Sequence, residues 1–145
     1  MSKALVLYHS QQYGNTEKMA NAVAEGLTEE GCTVTLHNTN TTRFPIEEYT
    51  AYDLVAIGTP DYFSYMAGTI KTFLDDWYLH RNEPGYTGKL FALFMSHGGG
   101  GRAKDSLTVF SRIGTQKGKI VSSSGSPSTQ ILKQCRELGK TLARS

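Results

Sequence analysis

Three short apolar runs limit what this chain can fold into. Ala4-Leu5-Val6-Leu7-Tyr8, Leu54-Val55-Ala56-Ile57 and Leu90-Phe91-Ala92-Leu93-Phe94-Met95 show no polar alternation and are bounded by Gly, Asp, Ser or Lys. A strand with one face in water alternates, whereas a strand covered by helices on both faces does not need to. Each run therefore reads as a central strand of a parallel sheet. Two other segments suit sheet edges: Thr33-Val34-Thr35-Leu36 alternates, and Lys119-Ile120-Val121 is very short before Ser122-Ser123-Ser124.

Helical stripes separate these strands. Met19, Val23 and Leu27 recur every four residues and stop at Gly31; Ile70, Phe73, Leu74, Trp77 and Tyr78 form a second stripe; Leu107, Phe110 and Ile113 form a weaker third. The last comprises Ile131, Leu132, Cys135, Leu138 and Leu142, with Ser126 expected as N-cap and Pro127 at the first helical position. Between the second and third strands there is room only for a short helix near residues 46–49. Right-handed crossovers then give a three-layer α/β/α sandwich on a five-stranded parallel sheet of order 2-1-3-4-5. The topological switch point of that sheet lies between strands 1 and 3, and ligands of such sheets bind there at the carboxyl ends.

Composition narrows the class further. A chain of 145 residues that is 39% hydrophobic and 19% charged suits a single globular domain over residues 1–145. Met1-Ser2-Lys3 runs into the first strand without a signal-peptide pattern, and no apolar run approaches a membrane span, so a cytoplasmic setting is expected. Cys32 and Cys135 form no C-x-x-C pair and read as reduced structural thiols. A net charge of +2, with Lys and Arg scattered along the chain, is too mild to imply nucleic acid.

The turns after strands 1, 3 and 4 carry the unusual residues. After the first strand come Ser10, Gln11, Gln12, Tyr13, Gly14, Asn15 and Thr16, leading into a helix whose first amides lack intrahelical partners and whose dipole favours an anion. Ser10, Asn15 and Thr16 can donate to phosphate oxygens, and Gly14 lets the backbone turn back on the ligand. The Gly-Lys-Ser/Thr of a triphosphate loop and the G-x-G-x-x-G of a dinucleotide site are both missing. A single terminal phosphate remains, as in a mononucleotide such as FMN; the alternative is a well-capped helix start with no ligand.

Gly58-Thr59-Pro60-Asp61-Tyr62-Phe63-Ser64-Tyr65-Met66 places four large side chains in a loop where polar ones are usual, and Ser96-His97-Gly98-Gly99-Gly100-Gly101 follows strand 4. A flat tricyclic ring needs an aromatic wall and a close backbone with amide donors, and these two loops can supply them. Otherwise the aromatics are core residues under the next helix and the glycines a connector. A phospho-receiver domain shares this topology, but its acidic residues and Lys are replaced by Tyr8-His9-Ser10, Gly58-Thr59-Pro60 and Val121-Ser122-Ser123. A phosphatase Cys loop, a G-x-S-x-G elbow and metal-ligand spacing of His are also missing. His9, His37 and His80 read as ordinary core or surface residues, whereas His97 lies in a loop facing the expected ring.

On these motifs the chain resembles short-chain flavodoxins and their flavodoxin-like FMN-binding relatives, over nearly its whole length. Ser10 through Asn15-Thr16 resemble the flavodoxin phosphate loop. Gly58-Thr59-Pro60-x-Tyr62-Phe63 with Met66, Gly68, Lys71, Phe73, Leu74 and Asp75 resembles the FMN-reductase and WrbA-type pattern. The resemblance implies that residues 10–16 hold the phosphate, that Thr59, Pro60, Asp61, Tyr62 and Phe63 flank the isoalloxazine, and that Ser96, His97, Gly98, Gly99 and Gly100 line its pyrimidine edge. It implies either an electron carrier serving redox partner proteins or a quinone reductase using NAD(P)H. The chain departs from the pattern in three ways. The phosphate loop is one residue longer, the ring loop has no Gly, and the strong acidity of ordinary flavodoxins is replaced by net charge +2, leaving Asp53, Asp61, Asp75 and Asp76 as a possible acidic patch. Residues 119–124 leave no room for the fifth-strand insertion of long flavodoxins.

Overall fold

Each apolar run becomes a buried parallel strand in the computed structural model, which describes residues 2–11 and 13–145. The elements run β1 (Lys3–Tyr8), α1 (Asn15–Glu29), β2 (Thr33–Asn38), a 3-10 turn (Ile46–Ala51), β3 (Leu54–Pro60), α2 (Gly68–His80) and β4 (Lys89–His97). They continue with α3 (Ala103–Ser106), a second 3-10 turn (Leu107–Arg112), β5 (Gly114–Gln116), β6 (Val121–Ser124) and α4 (Thr129–Ala143). The sheet order is β2-β1-β3-β4-β5, with β6 also on β4 and every pairing parallel. This is the predicted topology.

Alternate residues of a doubly covered strand feed two cores. Leu5 and Leu7 of β1 join Val55, Ile57, Ile70, Phe73 and Phe110 on the α2 side. Ala4, Val6 and Tyr8 join Met19, Val23, Cys135 and Leu138 under α1 and α4. The two helices of that second layer touch through glycine: a Cβ on Gly26 would lie 2.0 Å from the Arg136 carbonyl oxygen, and one on Gly139 2.2 Å from that of Val23. Only the absence of a side chain allows the backbones this close.

Four local expectations need correction. The fifth strand is split: β5 pairs with residues 89–91 and β6 with residues 94–97 of β4, while Lys119 and Ile120 lie in the gap. Lys117 N–H still donates to Phe91 C=O at 2.7 Å, after which Gly118, at φ 72°, turns the chain off the ladder. The N-cap of α4 is Ser128, whose hydroxyl accepts from Ile131 N–H at 3.1 Å, so Ser126 and Pro127 precede the helix. Tyr78 leaves its stripe and is exposed, with the Arg81 guanidinium over its ring. The third helical pattern becomes one α-turn followed by a 3-10 turn, although Leu107, Phe110 and Ile113 are buried as expected.

Candidate functional site

The carboxyl ends of β1, β3 and β4 surround a cavity of about 390 Å³. Its walls include Ser10, Gln11, Tyr13, Gly14, Asn15 and Thr16 from the first loop, Pro60, Asp61 and Tyr62 from the second, and Ser96, His97 and Gly98 from the third. Gly125, just beyond β6, completes it. The three loops selected from sequence therefore do converge.

The first loop is shaped around the start of α1. Gly14 is the N-cap residue at φ 67°, ψ 20°, a left-handed conformation that costs glycine little. No side chain on this residue caps the helix; instead the Ser10 hydroxyl accepts from Glu17 N–H at 3.2 Å, which leaves its own O–H free to donate. The N–H groups of Asn15 and Thr16 have no acceptor among the described residues. Asn38, at the end of β2, clamps both backbone groups of Ser10: its Oδ1 accepts from Ser10 N–H and its Nδ2 donates to Ser10 C=O, each at 3.1 Å. Thr16 differs from expectation. Its side chain is buried and its hydroxyl pairs with Ser96 Oγ at 2.8 Å, joining the first and third loops beneath the cavity. Gln12 lies outside the described residues.

The second loop is held by Asp61. One carboxylate oxygen accepts from Ser64 N–H at 2.8 Å and the other from Ala103 N–H at 3.0 Å, while Asp61 N–H donates to Ser96 C=O at 2.9 Å. Tyr62 and Tyr65 exchange backbone hydrogen bonds around Phe63 and Ser64, which both have positive φ, 57° and 62°. Such turns normally use Gly or Asn, and a bulky residue there costs about 1–2 kcal/mol. The Asp61 clamp holds this strained turn, which leaves Phe63 fully exposed. Phe63, Gly99 and Gly100 lie off the cavity wall. Thr59 lies behind it: the side chain is fully buried, donating to Pro60 C=O and accepting from Ala67 N–H, so it shapes the loop.

His9 and His97 flank Tyr62 in the strand order. The His97 Nδ1 is buried without a hydrogen-bond partner among the described residues. Burial lowers the proton affinity of His9, with the Gln11 side chain opposing, and burial raises the pKa of Tyr62. The suggested acidic patch does not form. Asp53 sits at the opposite end of β3, where it accepts from Lys3 N–H, while Asp75 pairs with Lys71 and Asp76 with Arg43. Among the described residues no group of three His, Cys, Asp or Glu side chains could hold a metal, and no helix is long and apolar enough to cross a membrane.

The family model described as flavodoxin matches residues 6–138. The chain belongs to the flavodoxin family. Flavodoxins are FMN-binding redox proteins, in keeping with the sequence resemblance. Solved structures agree. The Flv1 flavodiiron core from Synechocystis sp. PCC6803 is 27% identical, with TM-score 0.82 over 99% of this chain and 35% of its own. A flavodoxin from the domain Archaea is 24% identical, with TM-score 0.79 over 98% and 96% of the two chains. A flavodoxin, WrbA-like protein from Agrobacterium tumefaciens is 22% identical, with TM-score 0.81 over 99% and 96%. The last two establish the shared flavodoxin fold alone.

Sequence reasoning missed Asn38, Gly125 and His9. Asn38 lies at an edge strand's end and Gly125 after a serine run, where nothing local marks a ligand. His9 precedes the first loop and reads from sequence as an ordinary core or surface residue.

Proposed function

We propose that this protein is an electron carrier that holds one non-covalent FMN in the switch-point cavity and exchanges electrons with redox partner proteins. The phosphate is held by the Asn15 and Thr16 amides and the Ser10 hydroxyl, with the α1 dipole favouring the anion. Gln11, Tyr13 and Gly14 line its approach; Pro60, Asp61 and Tyr62 flank the ring, with Thr59 shaping their loop; Ser96, His97 and Gly98 meet the pyrimidine edge. The flavin supplies the redox chemistry and the polypeptide its environment. The observation carrying this reading is the cavity itself. At about 390 Å³ it lies within the range for ligand pockets, roughly 300–1,000 Å³, and it is walled by all three loops, as a mononucleotide with a phosphate at one end and a flat ring at the other requires.

The second reading, a WrbA-type NAD(P)H:quinone reductase, draws on the ring-loop sequence pattern and the likeness to the Agrobacterium protein. Anaerobic titration of FMN-loaded protein separates the two. The carrier reading predicts full bleaching by dithionite and slow bleaching by NADH or NADPH. Rapid bleaching by either nicotinamide, followed by reoxidation with a quinone, would establish the reductase.

A further inference from the structure

His9 stands at the carboxyl end of β1, 5% exposed and off the cavity wall. Its Nδ1 lies 2.6 Å from Thr69 Oγ1, which lies 2.7 Å from Thr39 Oγ1, which donates to Tyr8 C=O at 3.2 Å. A carbonyl only accepts, and a hydroxyl carries one hydrogen. The direction of the whole chain is therefore fixed: Thr39 donates to Tyr8, Thr69 to Thr39, and His9 Nδ1–H to Thr69. The neutral imidazole must carry its hydrogen on Nδ1 and a bare lone pair on Nε2. That Nε2 is buried with no hydrogen-bond partner among the described residues.

His9 shares a neighbour with the cavity. The Tyr62 ring packs against His9 at 5.6 Å between centroids, nearly perpendicular, and Tyr62 lines the wall. Gln11 also lines the wall and favours the protonated imidazole. We propose that His9 is the proton-accepting positioning residue of this site: when flavin in the cavity gains electrons, Nε2 takes up one proton, and reduction acquires a pH dependence set at His9. The inference rests on the cavity being the FMN site.

The electrons come from the reductant and remain on the flavin. The proton comes from solvent and binds the Nε2 lone pair; no other bond at His9 forms or breaks. Burial disfavours the protonated ring, whereas negative charge gained nearby favours the imidazolium. The groups facing His9 are Tyr62 from the ring loop, Thr69 from α2, Thr39 after β2 and Gln11 from the phosphate loop. Among the described residues only Tyr62 of these titrates, and no carboxylate or cation acts on the imidazole.

The test uses FMN-loaded protein between about pH 5 and 8. The His9 ring-proton resonance, titrated in oxidised and dithionite-reduced protein, reads its proton affinity directly, with a rise of roughly tenfold expected on reduction. His9→Asn keeps an amide donor toward Thr69 and cannot be protonated. Spectroelectrochemistry should show the midpoint potential rising less steeply with falling pH in this variant than in the wild type. Equal His9 proton affinity in the two redox states, or an unchanged profile in His9→Asn, overturns the proposal, and the wild-type titration decides it even if the variant fails to fold. Absence of FMN uptake by the wild type would overturn the cofactor reading together with this one; uptake with an invariant His9 would overturn this one alone.

Discussion

Burial holds His9 neutral in the folded chain, and that has a consequence for stability that does not involve the cofactor. The folded pKa lies below the ordinary 6.5, so below that pH the unfolded chain binds more protons than the folded one. The stability associated with this group is complete above about pH 6.5 and is lost as pH falls toward the folded value. Thermal unfolding of the flavin-free protein should therefore move to lower temperature between about pH 7 and 5, and His9→Asn should flatten part of that slope; parallel slopes would contradict it. Other buried groups stay out of the chemistry. Burial pushes the Cys135 thiol up to about 12, and Cys32 is free, buried and also raised, in keeping with two structural thiols. Side-chain roles at this scale were only partly legible. Thr16 and Ser96 both line the cavity, but they stand 80 residues apart in sequence and their mutual hydrogen bond has no local signature.

At the scale of elements, the layer beneath the phosphate loop depends on how closely α1 and α4 approach. Gly26→Ala would drive a Cβ into the Arg136 carbonyl, a backbone atom that cannot rotate away. Overpacking of this kind costs about 1–3 kcal/mol, which chemical denaturation should show as a lower midpoint. No change in midpoint would mean that the helices lie farther apart. Helix and strand identities were legible because apolar spacing follows burial: Met19, Val23 and Leu27 all face the core. The fifth strand was not, because Gly114-Thr115-Gln116 is largely exposed and polar, leaving no periodic signal to mark its pairing with β4. The α4 cap was expected at Ser126, two residues before the Ser128 that caps the helix. What identifies the cap is the hydrogen bond that Ile131 N–H donates to the Ser128 hydroxyl.

For the whole molecule, the fold and the place of the cavity followed from one topological fact: three doubly covered strands must lie centrally, which puts the turns after β1, β3 and β4 at one end. The cavity formed there, and its walls come from all three loops, so the loops were legible where individual side chains such as Thr59 and Phe63 were not. Those two point elsewhere because the Thr59 hydroxyl is committed to backbone and the 62–65 turn carries Phe63 outward. Charge also acts at this scale. Of the expected acidic patch only Asp61 lines the cavity, and it accepts two backbone N–H groups, while Asp75 and Asp76 are in ion pairs with Lys71 and Arg43.

The central claim is tested most directly by titrating FMN into flavin-free protein and following quenching of flavin fluorescence. Saturation at one FMN per chain is expected, with Ser10→Ala binding roughly tenfold or more weakly because a hydrogen bond to a charged phosphate is lost. No quenching, or equal affinity in Ser10→Ala, would contradict the placement of the phosphate at the start of α1.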